Sequence, residues 1–150
     1  MQPPHIPWSD EYKIGIKEID LQHRKLFDLV NKLYELDDAN EANIKESLRT
    51  ILYEFSDYMK VHFKDEEAYM RAINYPDLAE HMKLHASIIE HLTEIIHTPA
   101  KLGIIKSKMK IVAKRSLVEH IMHEDTKIKL YAMTLPEEQN TEEIFDLSTL

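Results

Sequence analysis

Cysteine is absent from the 150 residues, and only two glycines, Gly15 and Gly103, occur. Without thiols there is no disulfide framework, no thiolate zinc site and no Cys-ligated iron–sulfur cluster. Strands joined by tight turns need more glycine than this, so the composition favours long helices. Proline is scarce where helices are expected: Pro3, Pro4, Pro7 and Pro136 lie near the ends. Positive charge is in deficit, with a net charge of −8, which argues against nucleic acid because neutralising phosphates takes a basic surface. No apolar run reaches the roughly 20 residues of a membrane span, and the start of the chain lacks the basic and apolar stretches of a signal peptide. The expectation is a cytoplasmic protein that engages neither nucleic acid nor membrane.

Histidine is in surplus. There are nine, against seven tyrosines and four phenylalanines.

Hydrophobic spacing predicts an all-α protein, an up-down-up-down four-helix bundle forming one domain over 1–150. An extended arm covers about 1–19, anchored by Trp8 and Tyr12; the bundle covers about 20–131 and a short acidic segment 132–150. The first helix is expected from Asp20, acting as its N-cap, with Leu26, Phe27, Val30, Leu33 and Tyr34 inward, ending in the Asp37–Asn40 stretch. The second carries Ile44, Leu48, Ile51, Leu52, Phe55, Met59, Phe63 and Met70 and stops near Asn74-Tyr75-Pro76. The third, with Pro76 in its first turn, carries Leu78, Met82, Ile88, Ile89, Leu92, Ile95 and Ile96 to about Thr98-Pro99. The fourth spans about Ile105 to Tyr131 through Met109, Val112, Leu117, Ile121 and Ile128. Short links between long helices imply antiparallel neighbours. Within the last segment, Ile144, Phe145 and Leu147 are expected on a docked helix that offers a protein partner a surface.

Placed on these stripes, His23, His62, Glu66, His81, His85 and His120 all face the core. Side chains three or four apart are neighbours on a helix, so His62 with Glu66, and His81 with His85, can each hold one ion jointly. A lone inward histidine is more often a hydrogen-bonded core residue, and one such pair arises by chance on many helices. Five imidazoles and a carboxylate in one core are different, because each unpaired polar group costs several kcal/mol to bury. Coordinated metal removes that cost. His5 is placed in the arm, His91, His97 and His123 fall off the stripes and are expected at the surface, and Glu67, one helical step from Glu66, is expected there too. On the fourth helix, spacing favours Glu124, four residues after His120, over Asp125 at the stripe's edge.

The pattern resembles the hemerythrins, and among them the single-domain bacterial members. The matching stretches are Trp8-Ser-Asp-Glu-Tyr-Lys-Ile-Gly15, Ile19-Asp-Leu-Gln-His23, His62-Phe-Lys-Asp-Glu66-Glu-Ala-Tyr-Met70, Tyr75-Pro76, His81-Met-Lys-Leu-His85 and His120-Ile-Met-His-Glu-Asp125. The family's last motif, H-x-x-x-x-D, selects Asp125 over Glu124, which a local widening of the helix would reconcile with spacing. The resemblance implies two iron ions bridged by Glu66, Asp125 and an oxo or hydroxo group. His81, His85 and His120 would complete one iron, and His23 and His62 the other, leaving one coordination position open for O2. An apolar lining of Leu26, Phe63, Leu117 and Ile121 would exclude water. Reversible O2 binding for storage, delivery or sensing is the implied function, without catalytic residues. A di-iron oxidase, peroxidase or nitric-oxide-handling enzyme, and an O2- or redox-responsive regulatory module, are the alternatives. Many bacterial members carry tryptophan four residues before the fourth-helix ligand histidine, here His120, where this chain has Ser116.

Overall fold

The computed structural model describes residues 6–36 and 44–136. The expected end of the first helix at Asp37–Asn40, and the segment holding Ile144, Phe145 and Leu147, lie outside the described residues. Four helical rods form the bundle: α1 (Lys17–Glu35), α2 (Ile44–Ala72), α3 (Leu78–His97), and a fourth rod of three consecutive parts. That rod is α4 (Leu102–Ala113), a π-helical stretch (Lys114–Asp125) and α5 (Thr126–Ala132). α1 packs on α2, α2 on α3, α3 on α4, and α4 back on α1, which closes the ring.

The ends of these helices follow from local chemistry. α1 starts three residues earlier than expected, and Asp20 is not its N-cap. The Asp20 carboxylate instead reaches back, accepting from the backbone N–H of Ile14 (2.8 Å) and of Gly15 (3.2 Å). It thereby pins the arm to the helix, and Gly15, at φ 93°, makes the bend that few other residues tolerate. α2 ends in a Schellman turn: Tyr75 N–H bonds to Met70 C=O at 2.8 Å and Asn74 N–H to Arg71 C=O at 3.2 Å. Asn74 takes the left-handed conformation, φ 56°, that this turn needs. Pro76 lies just ahead of α3 rather than in its first turn, and Asp77 occupies the N-cap position.

The arm is held to α1 by aromatic packing. Tyr12 stacks on Phe27 with centroids 5.1 Å apart, and Trp8 meets Phe27 edge-on at 5.3 Å. Ahead of them Ile6 and the Asn31 side chain exchange two hydrogen bonds, of 2.8 and 3.0 Å.

Two apolar cores fill the bundle. The larger includes Leu26, Phe27, Val30, Leu33, Leu52, Phe55, Met59, Phe63, Leu92, Met109, Leu117 and Ile121. The smaller gathers Ile14, Ile16, Ile19, Tyr69, Met70, Ile73, Tyr75, Ile128 and Ala132. Met82, expected inside, is 37% exposed on the outer side of α3. On every rod the inward polar residues fall where the chain passes from one core to the other. His23 lies between Ile19 and Leu26, and His62 and Glu66 flank Phe63 ahead of Tyr69. His120 and Asp125 likewise come between Leu117 and Ile128. The polar layer is thus sealed above and below.

Candidate metal centre

His23, His62, Glu66, His81, His85, His120 and Asp125 are all buried, none more than 6% exposed. They meet in one layer, one or two from each rod. Their ligand-type atoms form two groups, each with all atoms within 4.8 Å of one another. One group is His81, His85 and His120 with both carboxylates; the other is His23 and His62 with the same two carboxylates.

The carboxylates divide their oxygens between the groups. Glu66 Oε1 is 3.0 Å from Nε2 of both His81 and His85, whereas Oε2 faces His62 at 3.3 Å and His23 at 3.4 Å. Asp125 repeats the division: Oδ1 faces His81 at 3.0 Å and His120 at 3.1 Å, and Oδ2 faces His23 at 3.2 Å.

The choice between Glu124 and Asp125 follows from the shape of the fourth rod. Its π stretch closes i→i+5 hydrogen bonds, so residues five apart, not four, stand above one another. That brings Asp125 under His120, and turns Glu124 outward to a lysine, Lys127 Nζ, 3.3 Å away. Thr126, at the end of the stretch, donates its hydroxyl to Ile121 C=O at 3.1 Å, again spanning five residues.

Charge in the layer is self-compensating. Burial opposes a charged imidazole, but Asp125 and Glu66 outweigh it and push His23 up to about 9 and His81 up to about 10. His85 is raised too, burial being outweighed by Glu66 and Glu67. His62 is lowered, by burial and by its charged neighbour His23. Burial alone would raise both carboxyl groups, yet the surrounding imidazoles hold Glu66 and Asp125 below the usual carboxylate range.

Whether a metal fits is decided by what these contacts leave undone. Both oxygens of Asp125, Oε2 of Glu66 and Nε2 of His23 are buried without a hydrogen bond of proper geometry. Buried polar atoms are rarely left so, and the combination here is anionic oxygens facing imidazole nitrogens. Cations held between them would satisfy both kinds of atom at once, and imidazole with carboxylate is a donor set suited to first-row transition metals.

Two residues outside this set were not expected to matter. Glu67 is half-buried rather than surface-exposed, and its Oε2 accepts from His85 Nδ1 at 2.7 Å. Gln22 bonds to His62 Nδ1 at 2.8 Å. The only sequence cue is general: a metal-ligating histidine hands its second nitrogen to a partner, which spacing within one helix does not locate. His91, His97 and His123 lie on the surface as expected, and His5 lies outside the described residues. Leu26, Phe63, Leu117 and Ile121 are buried in the larger core, and Phe63 stacks on His85 with ring centroids 3.7 Å apart. Ser116 is buried with a hydroxyl that finds no partner. No helix among the described residues is long and apolar enough to cross a membrane.

Comparison with known proteins agrees with this geometry. The model of the hemerythrin HHE cation binding domain matches residues 14–132. A bacteriohemerythrin of Campylobacter jejuni is 37% identical over 114 residues, covering 75% of this chain and 84% of that protein. One from Clostridium acetobutylicum is 40% identical over 85 residues, 55% of this chain and 65% of that protein. One from Pseudomonas aeruginosa is 27% identical over 121 residues, 81% and 77% respectively. The match runs from the residues that Asp20 pins to the last turn of α5, taking in all seven histidines and carboxylates of the buried layer, and the chain belongs to the hemerythrin family.

Proposed function

We propose that this chain binds O2 reversibly at a pair of irons held by His23, His62, Glu66, His81, His85, His120 and Asp125. The observation that carries the reading is the division of carboxylate oxygens. A carboxylate whose two oxygens face two different sets of histidines has the arrangement of a bridge, and Glu66 and Asp125 both have it. An iron pair with an oxo or hydroxo bridge supplies reversible electron transfer and a coordination position for a diatomic ligand.

The residues decide how that chemistry is used. Three imidazoles serve one side and two the other, so the side of His23 and His62 is the one with room for a further ligand. Five neutral imidazoles against two carboxylates supply less negative charge than a mostly carboxylate site, which disfavours highly oxidised iron. Leu26, Phe63, Leu117 and Ile121 line the pocket on this reading. They keep out water and outside protons, since bringing either into an apolar core is costly. The role is oxygen storage, delivery or sensing.

A second reading, turnover of O2 or a related oxidant at the same site, draws on Ser116. Its buried, unpartnered hydroxyl lies four residues before His120, where an apolar ring would carry no proton. One experiment separates the two. Iron-loaded protein is reduced without air, then exposed to air and vacuum in turn while its optical spectrum is followed. Reversible binding predicts an absorption band that appears in air and disappears under vacuum over repeated cycles. Colour lost after one exposure, with steady consumption of reductant, supports turnover instead.

A further inference from the structure

Asp65, Glu66 and Glu67 are three consecutive acidic residues of α2, and the structure gives each a different task. Glu66 faces inward, between both histidine groups. Glu67 reaches to α3 and meets His85 Nδ1 at 2.7 Å. Asp65 reaches to α1, where its Oδ2 meets Gln22 Nε2 at 2.7 Å. The other end of that amide, Gln22 Oε1, meets His62 Nδ1 at 2.8 Å.

The proton positions follow from what each atom is able to do. A carboxylate only accepts, so His85 carries a proton on Nδ1, and its Nε2, 3.0 Å from Glu66 Oε1, is the nitrogen left to give its lone pair when a metal takes the place of the proton there. The same holds one link further away on the other side. Asp65 accepts, so the end of Gln22 facing it is the NH2 group, which settles an amide orientation otherwise open to a flip. The carbonyl end then faces His62 and accepts, so His62 also carries its proton on Nδ1. Each histidine group thus has one imidazole whose tautomer is set from outside. By contrast, Nδ1 of His23 and of His81 is buried without a hydrogen-bond partner.

The two locks differ in charge. Glu67 places a carboxylate directly on the imidazole of the three-histidine group, while Gln22 interposes a neutral amide before the charge of Asp65. A carboxylate partner raises the basicity of a ligating imidazole more than an amide does.

We propose that Asp65 and Glu67 are positioning residues that fix the tautomers of His62 and His85, and that their unequal reach makes the three-histidine position the tighter metal site. This rests on the metal-centre reading above. It predicts stepwise release of metal, the two-histidine position emptying first.

The test uses the full chain loaded with ferrous iron, followed by timed extraction with a chelator, and in parallel zinc-loaded protein, which is diamagnetic, for nitrogen NMR of the imidazoles. In the wild type, two phases of release are expected, with Nδ1–H signals from both His62 and His85. Glu67→Gln keeps size and a hydrogen-bonding end but removes the charge. It should speed the slow phase by about 10- to 100-fold and leave the fast phase nearly unchanged. Gln22→Glu combined with Asp65→Asn, which faces the new carboxylate with an amide donor instead of a second acceptor, should do the reverse, slowing the fast phase by supplying a direct carboxylate to His62. A structural role alone predicts no such opposite pair, because both changes would loosen the site. Glu67→Asp should recover part of the slow phase. If the wild type holds two ions but Glu67→Gln and the combined Gln22→Glu and Asp65→Asn change leave both phases and both Nδ1–H signals as they were, the positioning role is wrong and the centre stands. If the wild type takes up no pair of ions, the centre itself is wrong and this inference goes with it.

Discussion

Glu66 and Asp125 are the residues on which the site depends most. Each faces both histidine groups, whereas each imidazole belongs to one, His81 and His23 included although each touches both carboxylates. Two cations in one core repel strongly, and only anions set between them offset that repulsion. Glu66→Ala is therefore expected to leave little or no paired metal. His62→Ala should retain more, because it removes one neutral donor from one side. Metal analysis after iron loading checks the order, and near-normal pairs in Glu66→Ala would contradict the bridging role. Asp125→Ala should lose the pair likewise. Glu124→Ala removes only an exposed contact with Lys127, and should keep metal content and change stability by less than about 1 kcal/mol.

At the scale of elements, the fourth rod is the unusual one. Long π-helical runs are rare, and those that persist are commonly found at functional sites. Here the run spans 114–125 and carries Ser116, His120 and Asp125 into the core. A π run gains less from its own backbone than an α-helix does and is expected to depend on what its side chains bind, so it should open more easily without metal. Amide hydrogen exchange is expected to be faster in 114–125 than in α4 or in the centres of α1 and α2 of the metal-free protein. Loading should slow it by about tenfold or more, through the cross-links that Asp125 and His120 make to the other rods. Equal protection with and without metal would mean that the π geometry is intrinsic to the sequence.

The same rod marks where reading the sequence reached its limit. The apolar stripes placed four helices correctly because burial of Leu26, Phe55, Leu92 or Leu117 leaves a mark at helical spacing whatever the details. The inward histidines were legible for the same reason, as polar residues on an apolar line. Asp125 was not legible from spacing, because the rule of three-to-four residues presumes an α-helix and this stretch is wider. Asp20 has the chemistry of a cap, but the N–H groups it accepts from belong to Ile14 and Gly15, whose resting place only the folded arm shows. Gln22 and Glu67 were missed because their partners lie on other helices, where spacing along one helix has nothing to say.

For the whole molecule, the buried layer links stability to pH and to metal. His23 and His81 have folded values of about 9 and 10, above the ordinary 6.5. In the metal-free protein their contribution is complete below about 6.5 and is lost as pH rises through about 9 to 10. Glu66 and Asp125 are shifted down, so their contribution is present above the ordinary carboxylate range and lost on strong acidification. The metal-free protein should therefore melt at a lower temperature near pH 10 than near pH 6.5. Metal in place of those protons removes the alkaline loss. A metal ion held at 1,000 times its Kd adds about 4 kcal/mol, on the order of 10 °C in Tm for a chain of this size. Thermal melts of both forms across this pH range check the sign; a metal-free Tm that climbs towards pH 10 would contradict it.

On the proposed reading, one layer of side chains holds two irons with Glu66 and Asp125 shared between them. Anomalous X-ray scattering at the iron edge, from crystals of the iron-loaded protein, tests it directly. Two iron peaks per chain are expected, one beside His81, His85 and His120 and one beside His23 and His62, with an oxygen of each carboxylate on each iron. A single peak, or two peaks with either carboxylate bound to only one of them, would contradict it.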